Sequence, residues 1–566
     1  MAEKDPYEGQ LPPVERGVHR RLLEYLNNAR RRDDLEILHD AEIGHEAMAE
    51  IIRGRDRVSP FGFRHLREVV EVARINPEIL RKLIALFGRA TYGEWITPYE
   101  TKFPDGTAYH VAHAAVLKTG WVLFLPEANT KTTLLWDPSD EVNPLFEHMV
   151  DTPDELLFCS GHAFLSDGRL LVAGGGGGGP SGVNRAWKFD PDTKTWTKTA
   201  GDMTHARWYP TVVTMSDERR MLVVGGSPSI GTAEVYDEFT DTFTLLTGPD
   251  ATRNFPQLYP GLHLLPGGEV FYTRTGFGSA GPGPGGPNDP LPTNSYFNYN
   301  APATGAWVEL PNQMEYIDRV RGMSVLLLDP CDPTVRVMVI GGGAAPGNET
   351  AEIVTLATLN PTWGHPMIIP GGSGRNNVNA VLLPDSTVMV VGGTADPSIA
   401  CALYRPATDT WAAMDPVNYR KQYHSVAVLL PSGKVMATGG SNYGGGSNVI
   451  EIFSPPYLFK SDGSPADRPV IDNAPGLVHH GDSFAVESAD AADIERVVLV
   501  RPMAVTHQTD SEQRVIQMAF RQSGSTLTVT APDPDHPHGT APRGHYMLFI
   551  LNNAGVPSEG RFIFLH

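Results

Sequence analysis

Five residues of this 566-residue chain could do chemistry together: Cys159, Tyr209, Tyr423, His424 and His507. Cys159, Tyr209 and Tyr423 stand at nearly the same place in a repeating unit, 15, 16 and 16 residues before glycine doublets that begin at 174, 225 and 439. Repeats that close on themselves bring equivalent positions to one axis. A thiol, two phenols and an imidazole around one axis point to a metal and one-electron chemistry rather than to packing.

The elements that must position them follow from the repeat. A turn, a short apolar strand and usually a glycine doublet recur as SDGRLLVAGG (166–175), SDERRMLVVGG (216–226), PGGEVFYTRTG (266–276), VRVMVIGG (335–342), PDSTVMVVGG (384–393) and PSGKVMATGG (431–440). A degenerate copy, KTGWVLFLPEA (118–128), makes seven units. A second signature follows most doublets, a strand, a turn and then Trp or Phe, as in WKFDPDTKTW (187–196) and ALYRPATDTW (402–411). Strands with Gly, Pro, Asp and Thr turns at this period predict a mainly β chain built on a seven-bladed, kelch-type β-propeller with about four strands per blade. Two stacked sandwiches would not produce a constant period.

The flanks differ in texture. Residues 1–100 are predicted helical: Val18, Leu22 and Leu26 recur at four-residue spacing, and Ile79, Leu80, Leu83, Ile84 and Phe87 share one helical face between an Asn76-Pro77 start and a stop at Gly88. Arg30, Arg31 and Arg32 precede Asp33 and Asp34, so they read as a solvated helix end. The propeller is assigned to 101–455. Over 456–566 the doublets stop, and strands such as RVVLVRP (496–502) and YMLFILN (546–552) predict an immunoglobulin-like β-sandwich. His507 lies there, in the turn segment Thr506–Asp510, so it reaches the propeller axis only on a long hairpin entering the pore.

Composition narrows the function classes. The net charge is −20, and residues 1–90 balance sixteen basic against sixteen acidic side chains, so the excess lies on 91–566. Such a surface disfavours nucleic acid and anionic membranes. No apolar run of about eighteen residues marks a transmembrane helix. The start MAEKDPYEGQLPPVERG lacks the apolar core of a secretory signal, which makes a cytoplasmic location the default expectation, with export by another route the alternative. Three cysteines make no disulfide framework, and Cys331 and Cys401 read as ordinary thiols. The glycine run 174–179 opens no helix and is a loop, not a phosphate cradle.

Phe158-Cys159-Ser160-Gly161, Arg207-Trp208-Tyr209-Pro210-Thr211, Leu258-Tyr259-Pro260, Tyr423-His424-Ser425, the IFSPPYL junction at 452–458 and Thr506-His507 ahead of Gln513-Arg514 occur in this order. Together they resemble the copper radical oxidases, the galactose oxidase and glyoxal oxidase family, and RWYPT and LYPGLHLLPGGEV resemble the glyoxal oxidase branch more closely. The resemblance covers roughly 105–566. It implies one copper per chain held by Tyr209, Tyr423, His424 and His507, and a protein-derived radical cofactor in which Tyr209 is joined to Cys159 by a thioether. Two imidazoles and two phenolates suit Cu(II) and leave a position for substrate. It further implies oxidation of a primary alcohol or aldehyde hydrate, with dioxygen leaving as hydrogen peroxide and Tyr423 as general base.

Trp208, as a shield stacked over the radical, and Tyr259, Arg319 and Arg321 are further candidates on the substrate side; strand alternation, which turns sequence neighbours to opposite faces, argues against Trp208 stacking on Tyr209. His536, His538 and His545 lie around the Pro-rich stretch DPDHPHGTAPRG and read as structural or solvated. The helical segment lies outside the resemblance, and an oligomerisation or docking element is the expectation for it. The contrasting hypothesis is a non-catalytic propeller that binds a protein or glycan.

Overall fold

A computed structural model describes residues 45–58, residues 77–127 and most of the chain onward to 566; loops at 128–130, 141–143, 177–180, 249–256, 280–294, 344–347, 357–360, 394–399, 441–447 and 534–540, and some shorter gaps, are left out, as is most of the chain before 77. Val18, the Arg30–Arg32 run, Cys331, His536 and His538 therefore lie outside the described residues. The chain divides into two compact units, one of residues 1–94 with 454–468 and the other of residues 95–453 with 469–566.

In the first unit, helices span His45–Val58 and Pro77–Tyr92. Pro77 opens the second helix as expected, because its fixed φ and missing N–H cost nothing at a first helical position. The helix runs through Gly88, a correction to the predicted stop. It ends where Gly93 adopts φ 69 and its N–H bonds to the Arg89 carbonyl at 2.9 Å. Leu83, Ile84, Leu86 and Phe87 form its buried face. The backbone passes Gly463 so closely that a Cβ there would meet the Leu86 carbonyl oxygen. No described helix is long and apolar enough to cross a membrane.

The second unit is almost entirely β. Among the described residues, seven antiparallel sheets have four or five strands each, and their first strands are Val111–Val116, Gly161–Phe164, Thr211–Thr214, Leu262–Leu264, Met323–Asp329, Asn379–Leu382 and Val426–Leu429. Several first strands of successive sheets touch: Gly161–Phe164 lies against Thr211–Thr214, Met323–Asp329 against Asn379–Leu382, and Val426–Leu429 against Val111–Val116. Strands such as Val122–Pro126 and Val388–Val391 are buried along their whole length, which accounts for their continuous apolar runs. Glu94–Glu100 forms the far edge of the sheet made by Val426–Leu429, Val435–Thr438 and Val449–Ser454. The doublets serve close approach: Gly392 has φ 71, and a Cβ there would stand 2.3 Å from the Lys421 carbonyl oxygen of the next sheet.

The C-terminal part is a sandwich. A five-stranded sheet holds Ile494–Val500, Val515–Met518, Gly544–Asn552, Arg561–Leu565 and Leu477–Val478, and a three-stranded sheet holds Ser483–Glu487, Phe520–Ser523 and Thr526–Thr530. Val486, Val497, Leu499, Leu527, Val529, Leu548 and Ile550 belong to its core. Between Ile494–Val500 and Val515–Met518 the chain leaves the sandwich, and residues 501–514 are all buried. Ala504–Thr506 joins the edge of the first propeller sheet as a fifth strand, pairing His113 with Thr506, Ala114 with Val505 and Ala115 with Ala504.

That excursion is held by polar groups. Glu512 pairs with Arg501 and accepts a hydrogen bond from the Thr214 hydroxyl at 2.8 Å. The Gln513 side chain accepts from Leu382 N–H at 2.9 Å and donates to the Ala380 carbonyl at 3.1 Å. A buried ion pair is costly to break from one side, because the survivor keeps its charge without a partner. Glu512→Ala should therefore lower stability by about 3–5 kcal/mol in urea denaturation; a loss within experimental error would show that the pair does not hold the hairpin.

Candidate metal centre

Each propeller sheet after the first delivers one residue to the axis in a left-handed backbone conformation or close beside it. Cys159, Tyr209, Tyr259, Arg321, Asn377 and His424 have φ of 65, 64, 51, 64, 60 and 65°, and each stands two or three residues before a first strand. Non-glycine residues pay for this conformation, on the order of 1–3 kcal/mol each. Backbone hydrogen bonds hold them: Tyr209 N–H donates to Cys159 O at 2.9 Å, Tyr259 N–H to Tyr209 O at 2.8 Å, and Asn377 N–H to Arg321 O at 2.8 Å. The position equivalent to Cys159 and Tyr209 is thus His424. Tyr423 takes the place that Phe158 and Trp208 hold one residue earlier, a one-residue adjustment to the register read from the glycine doublets.

The left-handed residue also removes the strand-alternation objection to Trp208 as a shield. Strand alternation does not pass through such a residue, and the Trp208 ring lies parallel to that of Tyr209, with centroids 4.0 Å apart at 11°. Tyr259 stacks on Tyr209 as well, at 4.6 Å and 25°. Two near-parallel rings at such distances cannot share one face, so Tyr209 is sandwiched between them. Cys159, with Tyr209, Leu258 and Tyr259, forms a buried cluster against which Phe158, Trp208 and Phe277 pack.

The polar ends converge. Tyr209 Oη lies 2.8 Å from Tyr423 Oη and 2.9 Å from His507 Nε2. The His424 and His507 rings are 4.5 Å apart, and the His424 and Tyr423 rings 3.6 Å. The hairpin strand explains how His507 arrives: Thr506 is its last paired residue and His507 follows with φ 46. The Thr506 hydroxyl donates to Ala112 O at 2.9 Å, so it accepts from His507 Nδ1 at 2.7 Å, and Nε2 is left as the lone-pair nitrogen facing Tyr209. His424 Nδ1 meets the Glu127 carboxylate at 3.0 Å, which gives its Nε2 the lone pair in the same way.

Burial governs the proton affinities. It pushes the Tyr423 phenol up to about 12, with Arg321 opposing, and it raises Tyr209 further still, helped by Cys159 alongside. His507 is held well below the ordinary imidazole range, first by burial and then by His424. Two buried phenols of this kind ionise only beside a cation, and the imidazoles of His424 and His507 stand next to them. The set fits a copper ion with two nitrogen and two oxygen donors. Among the described residues no group of three His, Cys, Asp or Glu could hold a metal, so a metal at the axis depends on the phenols.

Three other expectations sort differently. Arg319 is fully buried, paired with Glu352 and donating to Gly341 O at 3.0 Å and Thr350 O at 2.9 Å. It matches Arg207 with Glu234 and Lys421 with Glu451, ion pairs inside other sheets, so the substrate-side assignment of Arg319 is withdrawn. Tyr259 is corrected likewise, since its hydroxyl donates to Ser160 O at 2.7 Å beneath Tyr209. Arg321 does reach the site: its guanidinium lies over the Phe277 ring, 5.3 Å from the centroid. His545 is partly buried against Phe564, 4.9 Å between ring centroids, away from this centre.

Phe277 and Glu127 escaped the sequence reading. Phe277 stacks on Tyr423 at 4.7 Å and meets Tyr209 edge-on at 5.3 Å. One signal existed. Pro126-Glu127 and Arg274-Thr275 stand where other units carry the glycine doublet, so the units that break the pattern are the ones that place these side chains.

A family model described as glyoxal oxidase N-terminus matches residues 138–279, and one described as galactose oxidase-like, early set domain matches 468–565. A galactose oxidase of Gibberella zeae is 27% identical over 451 residues, 75% of this chain and 63% of that protein. The chain thus spans about 63% of the length of that relative. The aldehyde oxidase GLOX of Vitis pseudoreticulata is 26% identical over 80% of this chain and 94% of its own length. A copper-bound fungal alcohol oxidase superposes with a TM-score of 0.68 at 25% identity, over 84% of this chain and all of that one. The class is therefore a galactose oxidase-like propeller joined to a β-sandwich. Within it, the chain carries a region similar to the glyoxal oxidase N-terminus ahead of one similar to the galactose oxidase-like early set domain, and its relatives are named for galactose and aldehyde oxidation.

Proposed function

We propose that the chain is a mononuclear copper radical oxidase on a seven-bladed propeller, converting a primary alcohol to an aldehyde, or an aldehyde hydrate to an acid, while dioxygen becomes hydrogen peroxide. The observation that carries this is the meeting of Tyr209 Oη, Tyr423 Oη and His507 Nε2 within 2.8–2.9 Å, beside His424 and with Cys159 packed against Tyr209. Tyr209, Tyr423, His424 and His507 would hold the copper, which when bound supplies one of the two oxidising equivalents and a site for dioxygen. The other equivalent belongs to Tyr209 as a radical, tuned by a thioether to Cys159.

The side chains have separable tasks. The Tyr423 oxygen takes the hydroxyl proton of substrate, and the Tyr209 radical takes the hydrogen on the adjacent carbon; each substrate molecule gives up two electrons and two protons, and one dioxygen receives them. Trp208 and Tyr259 keep water from both faces of the Tyr209 ring. Phe277 and Phe158 wall the centre, and Arg321 supports a polar end of the substrate. The relatives named for galactose, aldehyde and alcohol oxidation leave sugars and small alcohols or aldehydes as the substrate classes, and the LYPGLHLLPGGEV segment favours small aldehydes or alcohols.

A peroxide-coupled screen of the copper-loaded protein over aldehydes, simple alcohols and hexoses tests this. Activity on hexoses alone would overturn the small-substrate preference; no peroxide from any class would favour a binding propeller. Tyr423→Phe removes the general base and one of the four donors together, so it should weaken copper binding and, at saturating copper, slow turnover by about 10²-fold or more. The check is kcat with copper content measured on the same sample.

A further inference from the structure

We infer that His113, braced by His162, is a positioning residue that holds Cys159 for bond formation with Tyr209. The inference rests on the reading of Cys159 and Tyr209 as a cross-linking pair. It starts from the backbone bonds that tie one sheet's axial residue to the next. Tyr209 N–H finds Cys159 O, and Tyr259 N–H finds Tyr209 O. Cys159 has no such predecessor, because the edge of the preceding sheet is taken by Ala504–Thr506. Its N–H is accepted by a side chain instead, His113 Nε2 at 3.2 Å.

This contact fixes the rest. An accepting Nε2 places the His113 proton on Nδ1, which lies 3.1 Å from His162 Nε2 and donates to it. His162 thereby sets both the tautomer and the ring angle of His113. Both imidazoles are buried, at 1% and 7% exposure, in strands whose neighbouring residues Ala112, Ala114 and Ala163 are small and apolar. An apolar pair would pack there at less cost, since burying a polar ring is unfavourable unless its bonds are made. What the pair adds is an acceptor for a residue held at φ 65, a conformation that cysteine leaves readily when its N–H is unsatisfied.

Cross-linking removes the Cys159 S–H hydrogen and one ring hydrogen of Tyr209 and forms one C–S bond. The two electrons and two protons go to dioxygen in the presence of copper, giving hydrogen peroxide. The step needs the thiol held against the ring, so it reports directly on how Cys159 is held.

Copper-free protein should be given copper and air and followed by intact mass for loss of two hydrogens, with copper uptake titrated in parallel. Wild type should cross-link. His113→Ala should do so roughly tenfold more slowly or incompletely while still taking up copper, because the Cys159 N–H is left without its buried acceptor. His113→Gln, whose carbonyl can accept the same N–H, should recover most of the rate. Cross-linking of His113→Ala at the wild-type rate would overturn the inference. If that variant does not fold, His162→Leu carries the test, since it leaves the acceptor unbraced; slower cross-linking supports the inference and an unchanged rate overturns it. A wild type that binds copper but never loses the two hydrogens overturns the cross-link reading itself, and this inference with it.

Discussion

Replacing Cys159 by Ser should leave copper binding close to that of wild type and lower turnover on the order of 10⁴-fold, about 5 kcal/mol of barrier at 1.36 kcal/mol per tenfold. The four metal donors are untouched by this change. On the proposed function, what is lost is the sulfur substituent that would spread an unpaired electron beyond the Tyr209 ring and make it easier to oxidise. Copper alone accepts one electron where the reaction releases two. Parallel measurement of copper stoichiometry, the optical signature of the radical and kcat separates the parts. Wild-type turnover in the serine variant would end the radical reading even with the propeller and the copper intact.

His507→Ala should act on the metal itself. The residue supplies one of two imidazoles, and its Nε2 is the acceptor at 2.9 Å from Tyr209 Oη. Removing it takes a donor from the set and frees Tyr209 to turn. Losing a mere hydrogen-bond partner of a ligand typically costs 10–100-fold in affinity, roughly; losing the ligand should cost more, and the copper-dependent loss of two hydrogens should fail along with it. Titration of copper under a competing chelator, with intact mass on the same samples, checks both. Affinity unchanged from wild type would remove His507 from the donor set.

Much of this was legible in the sequence because repetition exposes what is exceptional. Cys159 and Tyr209 stood out by register alone, and the β-sheets followed from turn residues and apolar strands at a fixed period. The errors came from places where local rules give way. Strand alternation argues against Trp208 as a shield, yet its ring stacks on Tyr209, because nothing in the pattern reveals that Tyr209 adopts φ 64. Arg319 and Arg321 look interchangeable two residues apart, yet one is buried in an ion pair with Glu352 and the other reaches Phe277. The same irregularity separated them, since Arg321 is left-handed as well. Glu127 is distant from His424 in sequence, and only the closing of the sheets brings the two together at 3.0 Å.

The strand Ala504–Thr506 also sets a schedule. Chains are made from the N-terminus and domains fold in that order, at roughly 5–20 residues per second. Cys159, Tyr209, Tyr423 and His424 all emerge before residue 425, whereas His507 emerges last and reaches the axis only when its flanking strands, Ile494–Val500 and Val515–Met518, have paired. A nascent propeller therefore offers an incomplete donor set. On the proposed function, the oxidising centre would be assembled only on a chain that is nearly finished, which would keep a reactive radical away from a polypeptide still being folded.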